Sequence, residues 1–415
     1  MPWRERSLMD VRLRFGQDVH RPGWWIAEVC RRYQVSRKTG YKWLERYEHA
    51  GPAGLEDRSH RPYTCPHATP APIVHQILAL QRRFRWGARK VHWLLEQRVP
   101  RELVPTIATV HRILERYGRT GRRRASRRRF HSGRPDAPLD QPNAIWTADF
   151  KGQFRTGNGV YCYPLTIQDA ATRFLLGCRG LLEPTIKASE PVFARLFRRY
   201  GLPERIRTDN GAPFASCALG RLSLLSVWWI RLGIRPELIE PAHPEQNGRH
   251  ERMHRTLKAE TARPPRRTLA AQQRRFDWFR ARYNTERPHE ALGQRLPASL
   301  YQPSPRPYPS RLLPISYPGH YEVRRVSRNG GIRWGSRWVN VTHVLAELEI
   351  GLEEIDDGLW EVYFGPIWLG RLHETTGRIV DHLGRAARRE GGNHKGMCYQ
   401  SADNKVSPII RTVHA

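Results

Sequence analysis

A block of arginines divides the chain and limits how it can fold. Residues 119–134 read RTGRRRASRRRFHSGR, which contains eight arginines and no acidic residue. Such a block repels itself and has almost nothing apolar to bury, so it cannot form a core. We therefore predict a linker over residues 119–141, with helical modules before it and a different fold after it. A solvated tail or an import-type signal is the alternative interpretation.

The charge of the whole chain points to a polyanionic partner. The 415 residues include 71 Lys plus Arg and 39 Asp plus Glu, which gives a formal net charge of +32. Double-stranded DNA is the first candidate and an anionic membrane surface the second, because both attract strongly basic proteins. Each arginine that binds a phosphate releases a counterion, so binding would depend steeply on salt. The linker residues expected to contact DNA are Arg122, Arg123, Arg124, Arg127, Arg128 and Arg129.

Several classes of protein are disfavoured by the sequence. No stretch approaches the roughly 20 apolar residues of a membrane-spanning helix. The first residues, MPWRERSLMD, are too charged for a secretion signal. The six cysteines include no Cys-x-x-Cys pair, so neither a zinc ribbon nor a disulfide framework is predicted. We expect a reduced, cytoplasmic protein of about two to four domains that handles nucleic acid and does not associate with membranes.

Residues 1–60 predict a helix-turn-helix module. The segment IAEVCRRYQVSRKTGYKWLERY contains two short amphipathic helices, and Ser36 can cap the second by accepting from a free backbone N–H. A second helix of this kind enters the major groove, which would turn Arg37, Lys38 and Lys42 towards DNA. An ordinary helical hairpin with a basic surface is the alternative.

Residues 70–118 predict a second module of the same kind. IVHQILALQRRF, ARKVHWLLEQ and TIATVHRILERYG are each amphipathic at helical spacing, and Thr106 can cap the third. The three helices fit a groove-binding bundle, although no single side chain specifies it.

From residue 142 the pattern changes to strands and helices. AIWTADFKG, YCYPLTIQDA and TRFLLGCRGL predict three consecutive strands, and the following helices alternate with ERIRTDNG and RPELIEP as further strands. This order predicts an α/β core with a mixed five-stranded sheet and a helical extension over 142–302. Short strands separated by Gly turns predict a small all-β barrel over 318–376. Residues 384–415 have little apolar content, and we expect a disordered tail there.

Three carboxylates occupy informative positions in the α/β core. Asp149 lies in the first strand, Asp209 ends the fourth strand before an Asn-Gly turn, and Glu251 lies one turn into a late helix. Their spacings are 209 − 149 = 60 and 251 − 209 = 42 residues, yet all three can meet at one sheet edge. Two carboxylates about 4 Å apart repel by roughly 4 kcal/mol at an effective dielectric near 20. Oxygen-only clusters therefore favour Mg²⁺ or Mn²⁺, and two such ions catalyse phosphoryl transfer.

These residues carry a resemblance to a known family. The blocks WTADF, TDNGAPF, HPEQNGRHERMHRTLK and YNTERPHEALG resemble, in order, the signature segments of DDE insertion-sequence transposases, which have the catalytic core of retroviral integrases. The resemblance covers most of residues 20–300, including the paired helix-turn-helix modules. It implies a ribonuclease-H-like fold with Asp149, Asp209 and Glu251 as catalytic, metal-binding acids. The zinc-binding module of retroviral integrases has no counterpart here.

The long spacing between Asp209 and Glu251 leaves some alternatives open. An apparent insertion, CALGRLSLLSVWWIRLG, precedes the last acid, so Glu240 and Glu245 compete with Glu251 for its role. Only Glu251 stands in the Gly-x-x-Glu context that matches the family.

Other polar residues near the acids receive weaker interpretations. Asp169 is expected to be structural. Gln246 and Asn247 would either contact the DNA end or cap the helix, and Lys258 would face DNA. Three histidines spaced irregularly are interpreted as surface or phosphate contacts and not as metal ligands: His243, His250 and His254.

The resemblance implies a bacterial, nucleoid-associated enzyme that moves a DNA element to a new position. It would cleave at the ends of an insertion sequence and join the 3′-hydroxyl to target DNA, and a homo-oligomer would hold the two ends. A small C-terminal barrel would assist DNA binding or assembly. Two alternatives stay open: an inactive DNA-binding relic or repressor, and a structure-specific nuclease of the same fold.

Overall fold

A computed structural model of the chain describes residues 7–57, 68–120, 141–239, 248–312 and 314–381, together with 384 and 386. It divides into two compact units, Met1–Pro72 and Ile73–Ala415. Several predictions lie outside the described residues: the disordered tail, Glu240, His243, Glu245, Gln246, Asn247 and the six linker arginines Arg122, Arg123, Arg124, Arg127, Arg128 and Arg129.

The first unit is a three-helix module that contains the predicted helix-turn-helix. Its helices are α1 (Leu8–Val19), α2 (Ile26–Arg32) and α3 (Arg37–Ala50). The Ser36 hydroxyl accepts from the Thr39 backbone N–H, as the sequence predicts. Gly40 allows α3 to approach α2, because a Cβ there would lie 2.3 Å from the Cys30 sulfur. The helical prediction is confirmed.

The second helical module also forms as predicted. It contains α4 (Ala71–Phe84), α5 (Ala88–Glu96) and α6 (Ile107–Arg116), and the Thr106 hydroxyl caps α6 through the Thr109 N–H. Its buried core comprises Ile73, Ile77, Leu80, Phe84, Trp86, Val91, Leu94, Leu95, Val110, Ile113 and Leu114. The apolar stripe of each helix therefore faces one shared interior.

A six-stranded mixed sheet forms the centre of the second unit. Its strands are β1 (Ile145–Phe150), β2 (Phe154–Arg155), β3 (Tyr161–Asp169), β4 (Leu175–Leu181), β5 (Arg205–Thr208) and β6 (Arg235–Leu238). β1 pairs antiparallel with β3 and parallel with β5, β4 extends the sheet beyond β3, and β6 extends it beyond β5. The two-residue β2 pairs with the start of β3. The predicted five strands are present, with this short sixth strand in addition.

Helices cover the sheet and separate its side chains into two cores. They are α7 (Ile186–Tyr200), α8 (Leu224–Arg231), α9 (Gly248–Thr261) and α10 (Leu269–Thr285). One core joins the sheet to α7 and α8 and includes Trp146 and Ala148, whereas the other joins it to α9 and α10. Because strand side chains alternate, Thr147 and Asp149 project away from the core that holds Trp146 and Ala148. This places Asp149 on the face that α9 covers.

The second helical module contacts α10. The Arg282 guanidinium lies over three aromatic rings, 4.9 Å from Phe84, 5.7 Å from Trp86 and 4.9 Å from Trp278. Arg89 on α5 forms an ion pair with Glu290. Cation–π contacts and this ion pair therefore connect the module to the core.

The C-terminal strands form an open sheet, and this corrects the predicted barrel. They are β7 (Glu322–Arg325), β8 (Gly331–Trp334), β9 (Arg337–Asn340), β10 (Glu349–Asp356), β11 (Leu359–Phe364), β12 (Ile367–His373) and β13 (Arg378–Val380). Five of them pair in the order β13-β12-β11-β10-β7, and β8 and β9 form a separate hairpin. In the described residues, neither sheet closes on itself.

The apolar face of this sheet is covered by other parts of the chain. Its buried cluster contains the hairpin residues Ile332 and Val339 and also Leu222 and Ile230 from the segment that the sequence marks as an insertion. Because these groups exclude water from the sheet, burial of its apolar face does not require closure. The insertion is thus a packing element of the C-terminal sheet.

Two further observations bear on the sequence predictions. Among the described cysteines, Cys30, Cys162 and Cys178 are buried free thiols, whereas Cys217 is disulfide-bonded, which the irregular spacing did not indicate. In the described parts of the chain, no helix is long and apolar enough to span a bilayer.

Candidate active site

Asp149 lies near the carboxyl end of β1, in the middle of the sheet. Its side chain is 17% exposed. The pKa of this carboxyl is raised to about 7, chiefly by burial, next by the negative charge of Asp209 and least by that of Glu251. A backbone hydrogen bond at Phe150 and the charge of Lys151 oppose the rise. The negative charges of both other predicted acids therefore act on the Asp149 carboxyl.

Asp209 follows β5, the parallel neighbour of β1. The register pairs Thr147 with Arg207, so the two strands carry Asp149 and Asp209 to the same end of the sheet. One Asp209 carboxylate oxygen accepts from the Gly211 N–H at 3.2 Å, and the Asn210 amide donates to the Ile239 carbonyl at 2.8 Å. Burial raises the pKa of Asp209, and the Gly211 hydrogen bond lowers it. The Asn-Gly turn thus fixes this acid beside the end of β6.

Glu251 lies in the first turn of α9 and is exposed. Its charge acts on Asp149, so the start of this helix brings a third carboxylate to the same sheet end. A helix N-terminus also stabilises negative charge through its free N–H groups. The structure therefore brings together the three acids that the sequence singles out.

Two histidines of α9 lie below these acids, and their sequence interpretation was wrong. His250 is fully buried and His254 is 4% exposed, so neither is a surface contact. The two rings meet edge to face, 4.6 Å apart between centroids. His254 Nδ1 lies 3.6 Å from the Asp149 Oδ2 atom. The sequence feature that predicts this arrangement is the i,i+4 spacing of the two histidines, because it puts both rings on one face of the helix.

Two threonines of the sheet complete this buried polar cluster. Thr147 Oγ1 lies 2.8 Å from His250 Nδ1. Thr166 Oγ1 lies 2.6 Å from His250 Nε2 and 2.7 Å from His254 Nε2, and donates to the Asp149 carbonyl oxygen at 3.0 Å. Burial lowers the pKa of His250 to about 3. It also lowers the pKa of His254, with His250 and Lys151 contributing, so both rings are neutral at pH 7.

The donor set fits a divalent cation. Asp209 and Glu251 raise the pKa of the Asp149 carboxyl, and a cation bound beside it would offset this repulsion. Oxygen ligands suit Mg²⁺ and Mn²⁺. Asp149, His250 and His254 also offer ligand atoms that all lie within 4.8 Å of one another. Such a site could hold a metal.

The predicted DNA-contacting residues that the structure describes are all exposed. Arg37, Lys38 and Lys42 lie along α3, and Lys258 lies on α9, seven residues after Glu251. Their positions leave the cationic groups accessible to a phosphate backbone, although exposure alone does not select one partner.

The remaining motif residues have structural roles. Asp169 is fully buried and accepts from the Asn143 N–H, the Thr172 N–H and the Thr172 hydroxyl, as expected of a structural acid. In YNTERPHEALG, the Asn284 amide forms two hydrogen bonds with the backbone of Leu175. This motif therefore attaches α10 to β4.

Comparison with known proteins shows what the chain is related to. Models of the integrase core domain match residues 140–244 and 232–297, and models of a homeodomain-like domain match 7–56 and 39–114. An uncharacterized 31.7 kDa protein of insertion element IS407 from Burkholderia multivorans is 30% identical over 235 residues, 54% of this chain and 77% of that protein. The chain belongs to the insertion-sequence transposase family with an integrase core domain.

Similar proteins are also found in a second insertion element and among solved structures. An uncharacterized 39.2 kDa protein of insertion element IS476 from Xanthomonas euvesicatoria is 29% identical over 250 residues, 58% of this chain and 67% of that protein. Among solved structures, the HTLV-2 integrase catalytic core domain in complex with magnesium is 16% identical with a TM-score of 0.31. It matches over 39% of this chain and 97% of that chain. The homeodomain-like matches agree with the helical modules found in this transposase-family chain.

Proposed function

We propose that this protein is the DNA transposase of a bacterial insertion sequence. It would bind the terminal repeats of the element, cleave at its ends and join the freed ends to target DNA. The observation that carries the proposal is the meeting of Asp149, Asp209 and Glu251 at one end of the sheet, in a chain of the integrase-core family. A carboxyl whose pKa is raised by burial and by neighbouring acids, as that of Asp149 is, is typical of catalytic sites.

The three acids would hold the metal ions of this reaction. Asp149 experiences the charges of both other acids, which suits a ligand shared by two ions, with Asp209 and Glu251 each completing one position. Two ions of Mg²⁺ or Mn²⁺ bound there would activate the attacking oxygen and stabilise the leaving oxygen of a phosphodiester. Ion binding requires the deprotonated form of Asp149. The proton that the carboxyl retains near pH 7, because its pKa is raised, would therefore be released to solvent.

The chemistry would take place in two phosphoryl transfers. In the first, water attacks a phosphodiester at the element end, the P–O bond to the 3′ oxygen breaks, and a 3′-hydroxyl is released. In the second, that hydroxyl attacks a target phosphodiester, a new P–O bond forms, and the target 3′ oxygen leaves. One phosphodiester replaces another, so no external energy source and no covalent protein–DNA intermediate are needed.

The helical modules would position the DNA for this chemistry. Helix α3 carries Arg37, Lys38 and Lys42 on its exposed side, suited to a recognition helix in the major groove. Lys258 on α9 would contact phosphates near the three acids. Joining two ends requires a homo-oligomer on DNA, and the linker arginines and the C-terminal sheet would add sequence-independent affinity.

A cleavage assay tests this proposal. The purified full chain is incubated with labelled duplex DNA that carries the ends of its own locus, in Mg²⁺ or in EDTA. We expect a cut at the element end that needs the metal and is lost in Asp209→Asn. The matched control is Asp277→Asn, because this exposed acid on α10 pairs with Gln273 and lies outside the site.

The two alternatives give different results in the same assay. End binding without cleavage by the wild type would indicate a DNA-binding relic and contradict the proposal. With a target plasmid added to the assay, cleavage without joined products at any metal concentration would indicate a nuclease.

A further inference from the structure

The buried histidines leave one ring nitrogen free of hydrogen bonds. His250 uses both nitrogens, Nδ1 with Thr147 and Nε2 with Thr166. His254 uses Nε2 with Thr166. Within the described parts of the chain, His254 Nδ1 has no hydrogen bond and faces the Asp149 carboxylate. This nitrogen therefore points into the candidate active site.

A consistent assignment of the hydroxyl and imidazole protons gives the tautomer of His254. The Thr166 hydroxyl has one proton and can accept two. Its donation to the Asp149 carbonyl oxygen, which can only accept, uses that proton. With the proton placed there, both imidazole Nε2 atoms near Thr166 act as N–H donors to its oxygen, which keeps both rings neutral. His254 thus carries its proton on Nε2, and its Nδ1 presents a lone pair towards Asp149.

The same assignment of protons also accounts for the contacts of both His250 ring nitrogens. With its proton on Nε2, its Nδ1 accepts from the Thr147 hydroxyl at 2.8 Å, a shorter contact than the 3.2 Å from that hydroxyl to the Gln168 carbonyl. Every proton in the cluster then has an acceptor, and no two donors face each other. The network is consistent, and it leaves His254 Nδ1 as the one ring nitrogen of the pair available to a ligand.

The distance between His254 Nδ1 and Asp149 Oδ2 suits a shared cation. At 3.6 Å these atoms are too far apart for a hydrogen bond, and a lone pair facing a carboxylate is unfavourable in a buried place. Two atoms that bind one ion at about 2.1 Å lie roughly 3.0–3.5 Å apart for angles between octahedral and tetrahedral. A divalent ion between them would require only a small adjustment.

We propose that Nδ1 of His254 is a ligand, together with Asp149, of one divalent ion in this site. The inference rests on the proposed function in that the acids bind metal, and it adds a nitrogen ligand from α9. Thr166 would support this ligand by accepting from its Nε2–H, the arrangement that orients metal-binding histidines. His250 would orient Thr166 without binding metal.

A nitrogen ligand changes which ions the site prefers. Mg²⁺ binds oxygen and retains water, whereas imidazole suits borderline ions such as Mn²⁺, Co²⁺ and Zn²⁺. The site should therefore bind Mn²⁺ more tightly than Mg²⁺. Loss of the imidazole should weaken Mn²⁺ binding more than Mg²⁺ binding.

Electron paramagnetic resonance with Mn²⁺ alone tests the inference without reference to activity. The full chain is titrated with Mn²⁺, and pulsed measurements detect nitrogen bound to the ion. We expect an imidazole-nitrogen coupling in the wild type that is lost in His254→Gln, with Mn²⁺ affinity reduced about tenfold or more. Gln can still reach Thr166 and places no nitrogen at the Nδ1 position.

His250→Gln is the matched control, since it removes an equally buried ring from the same helix face. It should keep the nitrogen coupling. If His254→Gln does not fold, wild-type protein labelled with ¹⁵N-histidine answers the question, because the coupling must change to that of ¹⁵N.

The outcomes separate the two proposals. Mn²⁺ binding that requires Asp149, shows no histidine nitrogen and is unchanged in His254→Gln would overturn the nitrogen ligand and leave the transposase proposal intact. Absence of any Mn²⁺ binding that depends on Asp149 would contradict the metal site on which both rest.

Discussion

At the scale of single residues, Asp149 combines burial with two like-charged neighbours. Its carboxyl has a pKa of about 7 because of desolvation, Asp209 and Glu251. An unfolded Asp has a pKa near 4. The folded metal-free protein therefore binds more protons than the unfolded chain between these values, and its free energy of unfolding must fall as the pH rises through this range.

Asp149→Asn should remove this pH dependence. In EDTA at about pH 8 we expect the variant to have a free energy of unfolding higher than that of the wild type by on the order of 1–3 kcal/mol. At about pH 5 the difference should be smaller, since the folded wild-type carboxyl is then protonated. Urea denaturation at both pH values measures this, and equal stabilities at pH 8 would contradict it.

Asp169 differs from Asp149 in accepting three hydrogen bonds, which indicate a structural role. Its carboxylate accepts from Asn143 and twice from Thr172, at distances of 2.6–2.8 Å. Asp169→Asn turns one acceptor into a donor and should lower the free energy of unfolding by about 2–4 kcal/mol. End cleavage per folded molecule should be unchanged. Abolished cleavage by fully folded variant protein would count against a purely structural role.

The histidines show what the residue pattern could and could not predict. The sequence singles out the three acids by their positions in two strands and at a helix start, and by the motifs around them that resemble the transposase family. The surface interpretation of His250 and His254 is wrong because the irregular spacing of the three histidines, His243 included, does not apply to these two, which lie four residues apart on α9. Their burial depends on Thr147 and Thr166 facing that helix, and this follows from strand alternation only once the pairing of helix and sheet is known.

At the scale of elements, α10 packs against the sheet and forms hydrogen bonds with the backbone of β4. Asn284 bonds the Leu175 N–H at 2.8 Å and the Leu175 carbonyl at 3.0 Å, so one side chain satisfies the backbone of β4. Phe276 and Phe279 of the same helix share a core with Met253 and Leu257 of α9. The position of Glu251 therefore depends on this packing.

Asn284→Ala should destabilise the protein by about 2–3 kcal/mol, because two buried backbone groups lose their partners. The neighbouring exposed Thr285 provides a control, since Thr285→Ala should change stability by less than about 0.5 kcal/mol. Thermal denaturation of both variants measures the difference. Equal melting temperatures would mean that the amide does not attach α10 to β4.

Element types were predictable, but closure of the C-terminal sheet was not. Alternating short runs with Gly turns specify strands and hairpins equally well in a barrel and in an open sheet. The choice depends on what covers the apolar face, here the β8–β9 hairpin and the segment from Leu219 to Ile230. That contact joins residues about one hundred positions apart, which local patterns do not contain.

At the scale of the whole molecule, the C-terminal sheet and the α/β core both pack against helix α8. Val227 and Ile230 of α8, with Leu219 and Leu222 just before it, lie in the cluster of the C-terminal sheet, whereas Trp229 of α8 lies in the central core. Helix α8 therefore belongs to two cores at once.

Truncation after residue 312 should therefore destabilise the core. It exposes the apolar side of α8, and we expect aggregation or strong binding of a hydrophobic dye by the shortened protein. Truncation after residue 386 keeps all seven strands and is the control, expected to melt like the full chain. A soluble, cooperatively melting protein ending at 312 would show that the sheet is an independent domain.

The joining of DNA ends by the intact protein is the most direct measurement of the central claim. Cleaved end DNA with a free 3′-hydroxyl is mixed with a plasmid in Mn²⁺, and joined products are counted for the wild type, Asp149→Asn, Asp209→Asn and Glu251→Gln. We predict joined products for the wild type and a loss of at least about a hundredfold in each variant, with end binding retained. Joining that persists without any one of these acids would contradict the three-carboxylate site.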